Sequence, residues 1–280
     1  MSVTTAIRST YALPATDRER QRLMTQAEMV RPITRRLFVD AGIGPGMRIL
    51  DLGCGVGDVS LLLADLVGPT GEVVGVDRDP RSLEVARGRA GGSPHVSFIE
   101  QDLADLAFEG TFDACVGRYI LMHLPEPIAA IRMAARSVRP GGIIAFQDSD
   151  LSRVEPMVFP ETPLVMRCAE ALDRVSLLAG VERHMGYRYR PLFLAAGLSE
   201  PELRMDTMLG GGPDFAGYHV FAETFRSLLP VMERFGVATA AEFEIDTLAE
   251  RIRDEIVAND AVMSFPPQAV AWTRTAQGPS

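Results

Sequence analysis

The sequence predicts an α/β fold built on a parallel sheet, and three observations carry that reading. Short apolar runs alternate with longer helical ones between residues 48 and 147, the order that parallel strands joined by crossover helices produce. The first run, Arg48–Leu52, leads into Gly53-Cys54-Gly55-Val56-Gly57, a turn that brings bare backbone up to a ligand. The second, Glu72–Asp77, ends in an acid about twenty residues past that turn, the offset at which a carboxylate reaches ribose hydroxyls.

The elements follow in order. Thr16 and Glu19 form a capping box ahead of a helix over 17–29, and Pro32 opens a second over 32–41 that Gly42 stops. The strand at 48–52 is followed by a helix over 59–67. The strand at 72–77 precedes a helix opened by Pro80, and strands follow at 96–100 and 112–117. A helix flanked by Pro125 and Pro127 runs to Val138, and Pro140-Gly141-Gly142 turns into a strand over 143–147. Residues 151–163 read as loop and 164–180 as an apolar-faced helix, with another over 187–196. A strand at 202–208, a glycine hinge at 210–212, helices over 216–236 and 245–259 and a strand over 269–275 complete the chain.

At 280 residues the chain suits one elaborated domain, and 47% apolar residues are ample for its core. The net charge of −9 argues against a nucleic-acid footprint, which needs clustered basic residues. All 28 basic residues are arginine, a codon-bias signature. Cys54, Cys115 and Cys168 show neither CxxC nor zinc spacing, so reduced thiols, a cytoplasmic location and no metal are expected. No apolar run approaches membrane-spanning length, so no membrane association is expected.

The spacing Asp51-x-Gly53-x-Gly55-x-Gly57 is not the dinucleotide fingerprint. It resembles motif I of the class I S-adenosylmethionine-dependent methyltransferases, of the small-molecule type found in ubiquinone and menaquinone biosynthesis and in actinobacterial specialised metabolism. The resemblance is specific over about residues 45–150. It implies a doubly wound, seven-stranded, mostly parallel Rossmann-like sheet with an N-terminal helical arm and helical lid insertions. Residues 1–41 would cover the cofactor, 42–150 would bind it, 151–186 would form a lid, and 187–280 would complete the core around a second insertion at about 213–260.

S-adenosylmethionine, with S-adenosylhomocysteine as product, is then the expected cofactor. Asp77 suits the ribose. Asp102, with Leu103 beside it, resembles the family's adenine-binding acid, unless Asp102 only caps a helix. Arg78 either borders the adenine or is a surface charge. Asp51, Gly53, Cys54, Gly55 and Gly57 belong to the loop under the methionine moiety, and Arg118 and Tyr119 follow the fourth strand. Tyr11 and Gln26 match arm positions that touch the methionine end in such relatives, or else simply pack a helix.

For catalysis, His123 is the leading general base because imidazole titrates near neutrality. Asp148, Asp150 and Glu170 are further acids near the expected acceptor pocket, and His184 lies in the expected lid. Met122, Met157, Met166, Met185, Met205, Met208 and Met232, with Phe159, Phe221 and Phe225, populate the covering segments. A cleft lined by even a few of them favours a sizeable apolar acceptor. The sequence therefore predicts methyl transfer to a small, largely apolar metabolite by a monomer or homodimer, O-methylation favoured. C-methylation with a carboxylate or histidine base, a non-methylating cyclase that keeps the cofactor, and a cofactor-binding regulatory subunit remain alternatives.

Overall fold

The protein is described by a computed structural model over residues 16–152 and 157–277; Tyr11 lies outside the described residues. A long helix α1 (Asp17–Ala41) precedes the alternating core β1 (Arg48–Leu52), α2 (Asp58–Val67), β2 (Glu72–Asp77), α3 (Pro80–Ala90) and β3 (Val96–Glu100). The chain continues through β4 (Phe112–Arg118), α4 (Pro127–Ser137), β5 (Val138–Ser149), β6 (Val158–Phe159), α5 (Pro163–Leu178) and α6 (Met185–Ala195). It ends with β7 (Glu202–Asp206), β8 (Leu209–Gly210), α7 (Gly217–Arg234), α8 (Leu248–Ala258), β9 (Val262–Ser264) and β10 (Gln268–Arg274).

Seven strands form the main sheet in the order β3-β2-β1-β4-β5-β10-β7. The first five run parallel, and β10 is antiparallel to both β5 and β7. The chain winds outward from β1 through β3, then returns to place β4 on the other side of β1. That reversal opens a crevice at the carboxyl ends of β1 and β4. This is the doubly wound architecture that the motif spacing implies.

Three local differences have clear causes. The helices expected over 17–29 and 32–41 are one, with Pro32 inside it. Pro32 and Glu28, whose carbonyl loses its donor, are both exposed, so the missing bond falls on the solvent side of the helix. Strand β5 begins at Val138, and the expected Pro140-Gly141-Gly142 turn is absorbed as an irregularity between the pairs Phe112–Val138 and Ala114–Ile143. The segments around the glycine hinge and the 151–163 loop contribute β8 and β6 to a small second sheet, β6-β9-β8.

Helices α1 and α2 cover one face of the main sheet through Leu37, Phe38, Leu62 and Leu63. Helices α4 and α6 cover the other, with Ile131, Tyr189 and Phe193 against Leu50 and Phe146. A separate apolar cluster joins α5, α7, α8 and the small sheet around Phe225, Met232, Ile252 and Met263. Helix α1 touches both bodies, packing on β5 and β10 and on α7, and so sets the helical cluster over the carboxyl edge of the sheet. Phe225 is fully buried, with its ring 4.6 Å from that of Phe243. Phe225→Ala is expected to lower unfolding free energy by about 3–5 kcal/mol; urea unfolding followed by circular dichroism measures it, and an unchanged midpoint would contradict this packing.

Candidate functional site

A cleft of about 510 Å3 opens at the carboxyl ends of β1 to β4. Its floor is the glycine loop, where Gly53, Gly55 and Gly57 take φ values of 65°, 52° and 86°. A side chain at Gly57 would also lie 3.1 Å from Ala86 Cβ and 3.3 Å from the Phe98 ring, so both conformation and space require glycine there. The Cys54 N–H donates to the Val76 carbonyl at 3.0 Å, tying the loop to β2. Buried Cys54 lines the cleft, and its desolvated thiol titrates far above its ordinary value.

Asp77 closes β2 at the cleft wall. It accepts from the Gly55 N–H at 2.8 Å and the Asp79 N–H at 2.9 Å, which hold the carboxylate still while lone pairs remain for further donors. Asp51 lies buried at the end of β1. Its Oδ2 accepts from the Ser60 hydroxyl at 2.6 Å, but its Oδ1 has no hydrogen-bond partner. Burial raises its pKa from 3.8 to about 7, against the pull of Ser60 and of the Arg118 charge. A buried carboxylate oxygen with spare accepting capacity next to a glycine loop suits a cationic amine. These two acids and the bare loop fit the ammonium and ribose of S-adenosylmethionine.

The remaining residues named for the cofactor also line this cleft. Asp102 caps the single turn Leu103–Asp105 through the Ala104 N–H at 2.9 Å, with Leu103 beside it. Arg78 stands exposed at the rim. Arg118 donates to Thr34 Oγ1 at 3.3 Å, and its guanidinium lies 5.7 Å from the Tyr119 ring centroid. Glu19, Arg20, Leu23 and Gln26 of α1 form the cover. Gly57 and Asp51 support the loop without lining the cleft.

A second cavity of about 220 Å3 lies under α1, α5 and α7. Its walls are mainly apolar and include Met29, Met122, Met157, Leu172, Met208 and Phe221. Of the other methionines and phenylalanines read as covering residues, Met185, Met232 and Phe225 are core, whereas Met205 and Phe159 are exposed. The two cavities share Leu23, Gln26, Tyr119 and His123. Burial lowers the His123 pKa to about 4, so its ring is neutral at pH 7. A neutral imidazole offers one nitrogen that accepts a proton.

Apart from Tyr119 and Gln26, sequence reading missed the polar groups that brace this junction. The Tyr119 hydroxyl donates to Gln268 Oε1 at 2.6 Å, and the Gln268 amide donates to Ser149 Oγ at 3.1 Å. Gln147 also donates to Gln268 Oε1, at 3.2 Å, and accepts from Thr34 at 2.8 Å. On the cover, Arg22 holds Glu19 through two bonds of 2.8 and 2.7 Å and reaches Gln26 at 2.8 Å and Thr224 at 3.1 Å. The Ser227 hydroxyl donates to Glu19 at 2.5 Å, so this buried pair joins α1 to α7. The available signals were faint: an acid and an arginine three apart, and one glutamine at the head of an apolar strand.

Three expectations for catalytic acids are corrected by placement. Asp148 lines neither cavity. It is fully buried, accepts from the Tyr189 hydroxyl at 2.8 Å, and faces the backbone N–H groups of residues 120–122, Met122 N being 3.5 Å away. It braces the turn that carries His123 instead of facing an acceptor. Asp150 accepts from the Gly186 N–H at 2.7 Å and the Ser152 N–H at 3.0 Å. Glu170 is exposed on α5, outside the second cavity, because neighbouring Ala169 takes the inward position. His184 is also exposed, 3.4 Å from Glu182.

Comparison with known proteins agrees with this geometry. A family described as a methyltransferase domain matches residues 43–188, just over half of the chain. Demethylmenaquinone methyltransferase of Staphylococcus aureus (strain JH9) is 33% identical over 111 residues, which cover 39% of this chain and 46% of that protein. The chain thus matches just under half the length of that relative. Phosphoethanolamine N-methyltransferase 2 of Haemonchus contortus, solved with phosphomonomethylethanolamine and S-adenosylhomocysteine, superposes with a TM-score of 0.57 at 16% identity. That match covers 88% of this chain and 53% of the other. The [4+2]-cyclase SpnF gives a TM-score of 0.54 at 20% identity, covering 88% and 81%. At such identities the two structures establish the fold alone, and they include both a methyltransferase and a cyclase.

The buried Asp148 carboxyl gives the site a pH signature. Burial raises its pKa from 3.8 to about 7, so the folded state holds a proton that the unfolded chain releases. Its contribution to stability is complete below the unfolded value and is lost as pH rises through the folded one; Asp51 acts in the same sense. Asp148→Asn is expected to flatten the fall in thermal midpoint between about pH 4 and pH 7, as read by calorimetry. An identical slope in parent and variant would contradict the assignment.

Proposed function

The chain belongs to the methyltransferase-domain family, and from that premise we propose that it transfers a methyl group from S-adenosylmethionine to an oxygen of a small, largely apolar molecule. The observation that carries the reading is the meeting of the two cavities at Leu23, Gln26, Tyr119 and His123. One cavity has a glycine loop with Asp77 and Asp102 beside it, the other has apolar walls, and a proton acceptor stands between them.

S-adenosylmethionine, when bound, supplies an electrophilic methyl on a sulfonium, and S-adenosylhomocysteine leaves. The chain's own residues hold, orient and deprotonate. Asp77 takes the ribose hydroxyls, Asp102 and Leu103 border the adenine, and the loop backbone, with Asp51 beneath it, meets the amino-acid end. The Tyr119 phenol is kept protonated by burial and fixed by Gln268, so its ring serves as a rigid wall at the junction. His123 accepts the acceptor's hydroxyl proton as the oxygen becomes the nucleophile. The hydroxyl becomes strongly acidic as its oxygen bonds the methyl, so even a weakly basic imidazole takes the proton late in the transfer, without a preformed anion. Enclosing the pair of ligands in one fixed alignment supplies the larger share of the acceleration.

Two measurements test the reading. Asp77→Ala is expected to weaken S-adenosylmethionine binding about 10- to 100-fold in calorimetry, the loss of charge-assisted hydrogen bonds; equal binding would move the ribose elsewhere. His123→Gln is expected to lower kcat about 100-fold or more with cofactor binding retained. The assay is a methyl mass gain on hydroxylated aromatic acceptors. Turnover without mass gain would mean that the chain does not transfer methyl, and full activity of the variant would remove His123 as the base.

A further inference from the structure

Among the described residues, the charges around the second cavity are all spoken for by the protein itself. Besides Tyr119, the described lining residues include three with ionisable side chains: Arg22, His123 and Asp173. Arg22 is held in a two-point contact by the buried Glu19 carboxylate and donates its remaining Nη1 contacts to Gln26 and Thr224. Asp173 on α5 is paired with Arg183 from the α5–α6 connection. His123 sits in a desolvated position that favours its neutral form. What the cavity offers a ligand is dipoles: the amides of Gln26 and Gln268 and the hydroxyls of Tyr119, Ser149, Ser176 and Thr224.

Resting on the apolar-acceptor reading above, we propose that the acceptor carries no net charge: it is a neutral, hydroxylated ring system, and the Glu19–Arg22 and Asp173–Arg183 pairs exclude acids and amines. A carboxylate or ammonium entering this space would lose its water against Met29, Val30, Leu172, Val175 and Phe221 and find no unpaired counter-charge among the described residues. Breaking either internal pair to supply one would strand a second charge. Size narrows the class further. A cavity of roughly 150 Å3 holds benzene, so about 220 Å3 matches a fused two-ring acceptor. Its hydroxyl would meet the polar junction and its far ring the α5 and α7 walls.

Calorimetry at pH 7, with S-adenosylhomocysteine present, compares three probes of one shape: 2-naphthol, 6-hydroxy-2-naphthoate and 6-(aminomethyl)-2-naphthol. The neutral probe is expected to bind at least about tenfold more tightly than either ion. Equal or tighter binding of an ion overturns the proposal while leaving the apolar-acceptor reading in place. Binding of none of the three overturns that reading, and the proposal with it.

Arg183→Gln releases the Asp173 carboxylate into the cavity and is expected to narrow the preference for 2-naphthol over the ammonium probe about tenfold. An unchanged preference would mean that Asp173 is not a masked charge, which overturns the proposal. Asp173→Asn, which leaves the Arg183 guanidinium without its carboxylate, carries the complementary test should the first variant fail to fold, and is expected to narrow the preference for 2-naphthol over the carboxylate probe. An unchanged preference over the carboxylate probe, or a shift toward the ammonium probe, overturns the proposal.

Discussion

The site depends on how the chain leaves β4. A parallel strand of this kind ordinarily feeds a loop toward its crossover helix. Here the backbone turns at once, with Tyr119 in the left-handed region at φ 55°, a conformation that a bulky residue adopts only when its surroundings enforce it. Three contacts do so. The Tyr119 N–H donates to the Gln147 carbonyl at 2.8 Å, its hydroxyl is held by Gln268, and the Asp148 carboxylate faces the N–H groups of the next three residues. Residues 119–123 therefore stand between two cavities instead of continuing the sheet beyond Arg118. Arg118 faces the cofactor side, and Tyr119 and His123 face both.

This bracing explains why a carboxylate is kept at position 148 despite its cost. Taking an acid wholly out of water is unfavourable, and the raised pKa of Asp148 records that. The Tyr189 hydroxyl of α6 and the backbone donors return part of the cost, and the backbone donors come from the one turn that must be fixed. Gln147 and Gln268 work in the same way on adjacent antiparallel strands, with Val270 opposite Gln147 and Ser149 opposite Gln268. Polar side chains at the head of an otherwise apolar strand pair thus specify one arrangement of the junction. The antiparallel β10 is what makes this possible, since it brings a residue from the end of the chain to the carboxyl edge of the parallel core.

That Asp77 and Asp102 share one cleft with the glycine loop was legible in the sequence because these parts lie close together along the chain. The loop, Asp77 and Asp102 each follow a strand in the parallel core, and strand ends on one edge of a parallel sheet must converge. The acceptor half was not legible for the opposite reason. Its walls come from α1, the turn after β4, α5, α7 and the segment before β10, and helical periodicity states that a face is buried without saying against what. Asp148 illustrates the same gap within a strand. Along β5, where nearly every residue is buried, alternation cannot say which side chain reaches the pocket and which points beneath a turn. Glu170 was misplaced more simply. The inward stripe of α5 runs through Val165, Ala169 and Leu172, and a residue one step from Ala169 is rotated about 100° away.

The cover over both cavities rests on a different kind of contact. Helix α1 meets α7 through Glu19, Arg22, Thr224 and Ser227, an ionic and hydroxyl seam between two apolar bodies. A buried ion pair contributes little net stability beside a hydrophobic one of equal volume, so stability alone does not account for it. The seam faces the cofactor cleft with Glu19 and the second cavity with Arg22, so each member is both a strut and a wall. Because each satisfies the other, neither presents a net charge to what lies beneath. An apolar seam would close the helices equally well but would tolerate sliding. A two-point guanidinium–carboxylate contact fixes the register of α1 on α7, and with it the positions of Leu23 and Gln26 at the junction.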